Sequence, residues 1–211
     1  MLRDAYPYLF TLFLSAVLTA ALGYFFSPSF YLITLPLVLL AGFIAFFFRN
    51  PHREISLDPS LVLSPADGHV SIVRAVDSTN AEAGTFVSIF LSVFDVHINR
   101  TPIPGRITNI VYQEGQFLNA LNPRSSVENE QNTITVENEN LTVTFTQIAG
   151  LIARRIVFWK KIGDTLRPGE RVGLIKFGSR TDLLLPAQVE VMVKKGDRVI
   201  GGKTMIGKLR Q

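Results

Sequence analysis

A glycine followed by a serine, Gly178-Ser179 within Lys176-Phe177-Gly178-Ser179-Arg180-Thr181, is a bond at which a chain can cut itself. Glycine has no Cβ, so the backbone can bend until the Ser179 hydroxyl meets the Gly178 carbonyl. An N→O acyl shift would give an ester, and loss of the Ser179 α-proton would expel Gly178 as a carboxylate. The dehydroalanine left behind would hydrolyse to a pyruvoyl group and ammonia. Most Gly-Ser pairs are plain turns, so the dipeptide needs company. Three histidines are available: His52 in a polar linker, His69 after the Asp-Gly turn of Ser64-Pro65-Ala66-Asp67-Gly68, and His97 in Phe94-Asp95-Val96-His97-Ile98-Asn99-Arg100. Histidines and aspartates at strand ends are more often structural than catalytic. No HExxH or paired-histidine spacing points to zinc. With no cysteine, there is no thiol nucleophile, thiolate metal site or disulfide, and a metal is not expected. The G-x-S-x-G elbow is absent around Ser179. That lowers, without removing, a serine hydrolase built from Ser179, His97 and Asp67.

These residues need a scaffold, and the chain divides into two regions that differ in kind. From Ala5 to Phe48 there is no charged residue, about twice the roughly 20 apolar residues that cross a bilayer as a helix. Ser27-Pro28-Ser29 breaks the run, so two spans, about Tyr8–Phe26 and Phe30–Phe48, are expected to fold as a transmembrane helical hairpin over residues 1–48. Arg3 precedes the first span, and Arg49, His52 and Arg53 follow the second. The positive-inside rule then puts both ends, and all that follows, on the cytoplasmic face of a cell membrane. A net charge of +4 suits an anionic membrane surface. Nucleic acid is not expected, because no basic run interleaves with aromatics.

An interfacial linker, 49–60, leads into a mainly β region, 61–211. Thr133–Val136 and Leu141–Phe145 alternate around Glu137-Asn138-Glu139-Asn140, the pattern of a hairpin. Gln188–Val193 alternates too, and Phe86–Phe94 is continuously apolar, as in a strand buried on both faces. Gly163-Asp164-Thr165-Leu166-Arg167-Pro168-Gly169 is echoed by Gly196-Asp197-Arg198-Val199-Ile200-Gly201-Gly202. Each copy reads as a tight turn, and the pair resembles the hammerhead turns of lipoyl-like folds. A compact sandwich is expected, with Gly178-Ser179 between the two copies.

Six blocks carry a further resemblance: Phe47–Arg53, Ser64–Gly68, Phe94–Arg100, Asn122–Asn132, Gln147–Ile156 and Lys176–Arg180. Together, and in this order, they resemble phosphatidylserine decarboxylase proenzymes, in particular the short form with an N-terminal membrane hairpin. The resemblance implies self-cleavage into a β chain, 1–178, and an α chain, 179–211, whose Ser179 becomes a pyruvoyl cofactor. Neither pyridoxal phosphate nor a metal is implied. Asp67, His97 and Ser179 match the family's self-cleavage triad, with His97 as base and Asp67 orienting it. The substrate implied is phosphatidylserine or a related serine phospholipid with ester or ether chains, and a homodimer is compatible. Arg154 and Arg155 are candidates for the phosphodiester; they alternate on a strand, so at most one is expected to serve. Asn122–Asn132, with Asn129, is the candidate substrate loop. One departure stands out: long members have a second histidine where this chain has Arg100. Two competing readings are a non-catalytic membrane-tethered binding module, with Gly178-Ser179 as a plain turn, and the serine hydrolase.

Overall fold

The computed structural model describes residues 1–76, 83–151, 155–176 and 178–210 of the chain. They form two compact units, Met1–Pro51 and the remainder from His52.

In the first unit α1 (Tyr6–Phe25) and α2 (Tyr31–Phe47) pack as a hairpin. Both are long and apolar enough to cross a membrane, with mean hydropathies of 1.8 and 2.4. The turn falls where the sequence places it: Ser27 caps a short 3-10 turn over Pro28–Phe30, its hydroxyl accepting the Ser29 N–H. Across the hairpin Thr34 donates to the Thr19 hydroxyl at 2.9 Å. A Cβ on Gly23 would stand only 3.0 Å from the Tyr31 ring, so the absence of a side chain there lets the helices approach.

The second unit is mainly β. Its strands are β1 (Leu61–Leu63), β2 (Gly68–Val76), β3 (Gly84–Leu91), β4 (Ile98–Arg100), β5 (Gly105–Gln113), β6 (Gln131–Glu137) and β7 (Thr142–Ala149). They continue as β8 (Ile156–Phe158), β9 (Thr165–Leu166), β10 (Arg171–Ile175), β11 (Ser179–Pro186), β12 (Val189–Val191), β13 (Arg198–Val199) and β14 (Met205–Leu209). Eight strands form one sheet in the order β13-β2-β3-β11-β7-β6-β5-β9; β1-β14-β12 and β4-β10-β8 form two smaller sheets.

That order has a dyad between β11 and β7. Strands β1, β2, β3, β11, β12, β13 and β14 make one half, and β4 to β10 repeat its pairings in the same sequence. The Gly-Asp echo is the local signature of this symmetry. Gly163 and Gly196 have φ of 93° and 95°, and Asp164 and Asp197 each accept the N–H of the residue three before them, Lys161 and Lys194. The first turn docks on Ile107 of β5 and the second on Val70 of β2, each by a reciprocal pair of main-chain bonds of 2.8–3.0 Å. The second half is thus inserted between β3 and β11 of the first, and Gly178-Ser179 marks the point where the chain re-enters.

Alternation explains the individual strands. In β6, Asn132, Ile134 and Val136 point inward, while Thr133 and Thr135 bond Thr146 and Thr144 across the strand pair. The hairpin after it is closed by Asn138, whose side-chain oxygen accepts the N–H groups of Asn140 and Leu141. The continuous apolar run ends earlier than the sequence indicates, at Leu91, because the Asp95 carboxylate takes the Ser92 N–H and hydroxyl and turns the chain. Leu183 and Leu185 of β11 pack with Val87, Ile89 and Phe145 in the core. Each such side chain contributes about 1.5–3 kcal/mol by leaving water.

Candidate active site

Ser179 opens β11, the strand on the dyad, with Leu91 on one side and Ala149 on the other. Its hydroxyl is buried and lacks a hydrogen-bond partner among the described residues. A buried hydroxyl without a partner costs on the order of 1–3 kcal/mol, the kind of expense that marks a functional group. Gly178, just before it, has φ of 60°, the left-handed region that suits glycine. The Gly178 carbonyl oxygen lies against Gly150: a Cβ on Gly150 would stand 2.2 Å from it. Two glycines therefore frame the scissile peptide, one for conformation and one for space.

His97 reaches this peptide from the turn before β4. Its Nε2 accepts the Gly178 N–H at 3.2 Å, and its Nδ1 lies 3.0 Å from the Asp95 carbonyl. An Nε2 that accepts must carry the lone pair, so the proton sits on Nδ1 and is donated to Asp95. The neutral imidazole thus aims a base at the residue next to Ser179.

Asp67 is elsewhere occupied. Its two oxygens accept from Arg53 Nη2 and the Gly201 N–H, each at 2.8 Å. Burial pushes its carboxyl above the ordinary aspartate range, against the pull of Gly201 and Arg53. In this geometry the Asp95 main-chain carbonyl bonds His97 Nδ1, the orienting role that the resemblance gives to Asp67. The Asp95 side chain in turn bonds Ser92 and Arg198. Burial raises its carboxyl, but Ser92 and Arg198 more than offset this and hold it below the usual range.

Behind Ser179 runs a buried chain of amides. Asn132 donates to Gln147, Gln147 to Asn99, and Asn99 to the Thr181 hydroxyl, at 3.2, 2.9 and 3.0 Å. Thr181 is two residues beyond Ser179 and Asn99 two beyond His97, so the last bond registers the histidine strand against the serine strand. On the opposite face of β11, Arg180 is buried beside Asp182, its Nη2 2.7 Å from the carboxylate. It also donates to Ala120 O, Ser125 Oγ and Ser126 Oγ, tying the 114–130 segment over the strand. Burial raises the Asp182 carboxyl despite that arginine.

A cavity of about 320 Å³ opens at Gly178, lined by Phe90, Ser92, Val93, Asn119, Ala120 and Leu151. Leu151 in this lining is 65% exposed, which gives the cavity an apolar rim. A second cavity, about 480 Å³ and more polar, is lined by Tyr112, Glu114, Phe117, Glu130 and Arg155. Arg155 is adjacent to the approach to the scissile bond, its carbonyl accepting the Lys176 N–H; Arg154 lies outside the described residues. Asn129 is a pin rather than an open ligand: its amide accepts from Leu118 N–H and donates to Leu118 O and Ala149 O. Arg100, in place of the second histidine, donates to Gly169 O at 2.8 Å.

Of the sequence candidates, then, His97, Gly178 and Ser179 come together, Asp67 sits in an arginine cluster, and Asn129 holds the loop. Gly150, Asp95, Asn99 and Arg180 carry no chemical signal of their own in the sequence, although all four fall within the six blocks.

Comparison with known proteins identifies the family. Residues 40–207 match the family described as phosphatidylserine decarboxylase. A phosphatidylserine decarboxylase proenzyme of Solibacter usitatus is 50% identical over 177 residues, 84% of each chain. One from Carboxydothermus hydrogenoformans is 44% identical over 213 aligned positions, covering 100% of this chain and 97% of the relative. The chain belongs to the phosphatidylserine decarboxylase family and is an enzyme of the carboxy-lyase class.

Proposed function

We propose that this protein cuts itself between Gly178 and Ser179 and then removes CO2 from the serine headgroup of phosphatidylserine at a membrane surface, yielding phosphatidylethanolamine. The observation that carries the reading is the buried Ser179 hydroxyl, without a hydrogen-bond partner among the described residues, beside a left-handed Gly178 and the His97 lone pair. For His97 to act as base, Nε2 must exchange the Gly178 N–H for the Ser179 hydroxyl next to it. Ser179 Oγ then attacks the Gly178 carbonyl carbon, its proton passes through His97 to the Ser179 nitrogen, and the C–N bond is replaced by an ester. Removal of the Ser179 α-proton breaks the Cβ–Oγ bond and releases Gly178 as a carboxylate. The dehydroalanine at 179 takes up water and releases ammonia. Asp67 is the second candidate for charging the imidazole, which requires it to leave Arg53.

The residues present fit a pyruvoyl group at 179, since the hydroxyl that would be consumed makes no hydrogen bond among the described residues. When formed, such a ketone supplies an electron sink for the negative charge left as CO2 departs. The protein's own residues do the rest. The cavity at Gly178 receives the serine headgroup, and its apolar rim suits entry from a bilayer. His97 returns a proton to Cα of the product. Arg155 is the described candidate for the phosphodiester. Asn129 and Arg180 hold the 114–130 segment beside the site. The α1–α2 hairpin, with Arg3, Arg49, His52 and Arg53 at its ends, supports anchoring with the catalytic unit on the cytoplasmic side. An enzyme held at the interface need not extract a two-acyl lipid from the bilayer, which costs about 0.8 kcal/mol per CH₂.

The test is conversion of phosphatidylserine in mixed micelles by the purified chain and by Ser179→Ala. Ethanolamine lipid and CO2 from the first alone are expected; equal turnover by both proteins would sink the reading.

A further inference from the structure

The dyad exposes a cluster of arginines to which the Ser179 site assigns no chemical role. Arg100 of β4 and Arg171 of β10 are direct cross-strand partners, and like charges so placed destabilise an antiparallel pair. At the corresponding positions of the other half, Leu63 of β1 faces Met205 of β14. The fold itself therefore requires no charge there.

A third guanidinium joins them. Arg53 is ion-paired to Asp67, and the positive charges of Arg171 and Arg53 both act on the half-buried Arg100. Asp67 is the counter-charge within this group, and its other oxygen is already taken by the Gly201 N–H. Glu170, next in sequence to Arg171, is committed to Lys160. Arg171 is exposed and forms no ion pair among the described residues. Two of the guanidinium groups are held in place, Arg53 by Asp67 and Arg100 by the Gly169 carbonyl. The group has three positive charges, one negative, and a mobile-length arm at its exposed side.

We propose that Arg53, Arg100 and Arg171 form a second ligand site, one that binds the phosphate oxyanion of an anionic phospholipid headgroup. Guanidinium forks match phosphate oxygens in pairs, and a bound phosphate offsets the repulsion between Arg100 and Arg171. Arg53 follows the last residue of α2 by six positions in the chain, which favours a lipid over a soluble phosphate. The lipid source rests on the membrane reading above; the phosphate chemistry does not.

Trp159, the one tryptophan of the chain, reports on the site. Its main-chain N–H donates to the carbonyl of Val172, the residue after Arg171, at 2.9 Å. The full chain in neutral-detergent micelles is titrated with phosphatidylglycerol, with phosphatidylcholine and with inorganic phosphate, following Trp159 fluorescence. A saturable response to phosphatidylglycerol but not phosphatidylcholine is expected, weakened roughly tenfold or more in Arg171→Ala. It should be unchanged in Lys208→Ala, an exposed lysine on β14, and in Ser179→Ala. A response to inorganic phosphate as well would support the oxyanion site and assign a soluble source. No saturable response to either, or equal weakening by Arg171→Ala and Lys208→Ala, would overturn the proposal, the latter by reducing it to diffuse surface charge. Loss in Ser179→Ala would overturn it too, since the lipid would then sit in the catalytic cavity, whatever the outcome of the decarboxylation assay.

Discussion

Replacing Gly150 by alanine tests whether the scissile peptide is held where the chemistry needs it. The new Cβ would lie 2.2 Å from the Gly178 oxygen and 3.1 Å from its carbonyl carbon. Ordinary carbon–oxygen contacts fall near 3.3–3.6 Å, so one side must move by about 1 Å. Neither side is a flexible side chain. The Gly150 end of β7 is fixed by its pairing with Ser179 and by the Ala149 N–H, which donates to Glu130 O at 3.0 Å. The displacement therefore falls on the peptide to be cut, and a 1 Å misplacement at a reacting centre costs on the order of 10²-fold in rate. Gly150 does not have a positive φ, so alanine suffers no backbone strain there. Gly178→Ala is the converse case: its φ is 60°, but the nearest atom to a Cβ is Val93 Cγ1 at 3.9 Å. It carries a conformational cost of about 1–2 kcal/mol and no clash. The assay is the time course of conversion of full-length chain to two fragments, with thermal unfolding of each uncut protein as a control. Gly150→Ala should slow the cut about 100-fold while remaining folded, and Gly178→Ala should stay within about tenfold of wild type. Wild-type processing by Gly150→Ala would refute the geometric reasoning.

Arg198→Ala should lower stability by about 1 kcal/mol at neutral pH, its exposure limiting the effect. Because Asp95 titrates below its unfolded value, that contribution is complete above the ordinary aspartate range and fades as pH falls through the depressed folded value; the difference between wild-type and variant unfolding curves should close under acid. Arg180→Lys keeps the charge beside Asp182 but cannot span Ala120, Ser125 and Ser126 together, so proteolysis within 114–130 should become faster while the β sheet still unfolds cooperatively. Asn99→Ala leaves the Gln147 amide and Thr181 hydroxyl without their partner and should cost about 1–3 kcal/mol, measured by denaturant unfolding. An unchanged midpoint would mean that the amide chain does not register the two strands.

Much of the architecture is legible in the residues because it rests on local patterns. The uncharged run from Ala5 to Phe48 and its break at Pro28 carry the hairpin, and alternation about Asn138 carries β6 and β7. The Gly-Asp echo announces the dyad, but not its consequence. That Asp164 docks on Ile107 and Asp197 on Val70 depends on contacts between distant segments, which no local period encodes. The end of β3 was hidden for a similar reason: Phe94 continues the apolar run, but Asp95 caps it from beyond. At the site, Ser179, Gly178 and His97 are recognisable by type and setting. The group orienting His97 is a peptide carbonyl, which every residue has and no motif reveals. The position of Asp67 is decided by Arg53, a residue of the linker, through a long-range ion pair. Gly150 looks like any strand-end glycine until the Gly178 carbonyl is seen against it.

The central claim is that the Gly178-Ser179 bond is cut by its own serine, and intact-mass spectrometry of the purified protein addresses it directly, with Ser179→Ala as control. Two chains divided after Gly178 are expected, the smaller lighter by one ammonia than simple hydrolysis would leave it, and a single uncut chain from the variant. A wild-type chain that stays whole, or whose smaller fragment begins with an unmodified serine, would contradict the account.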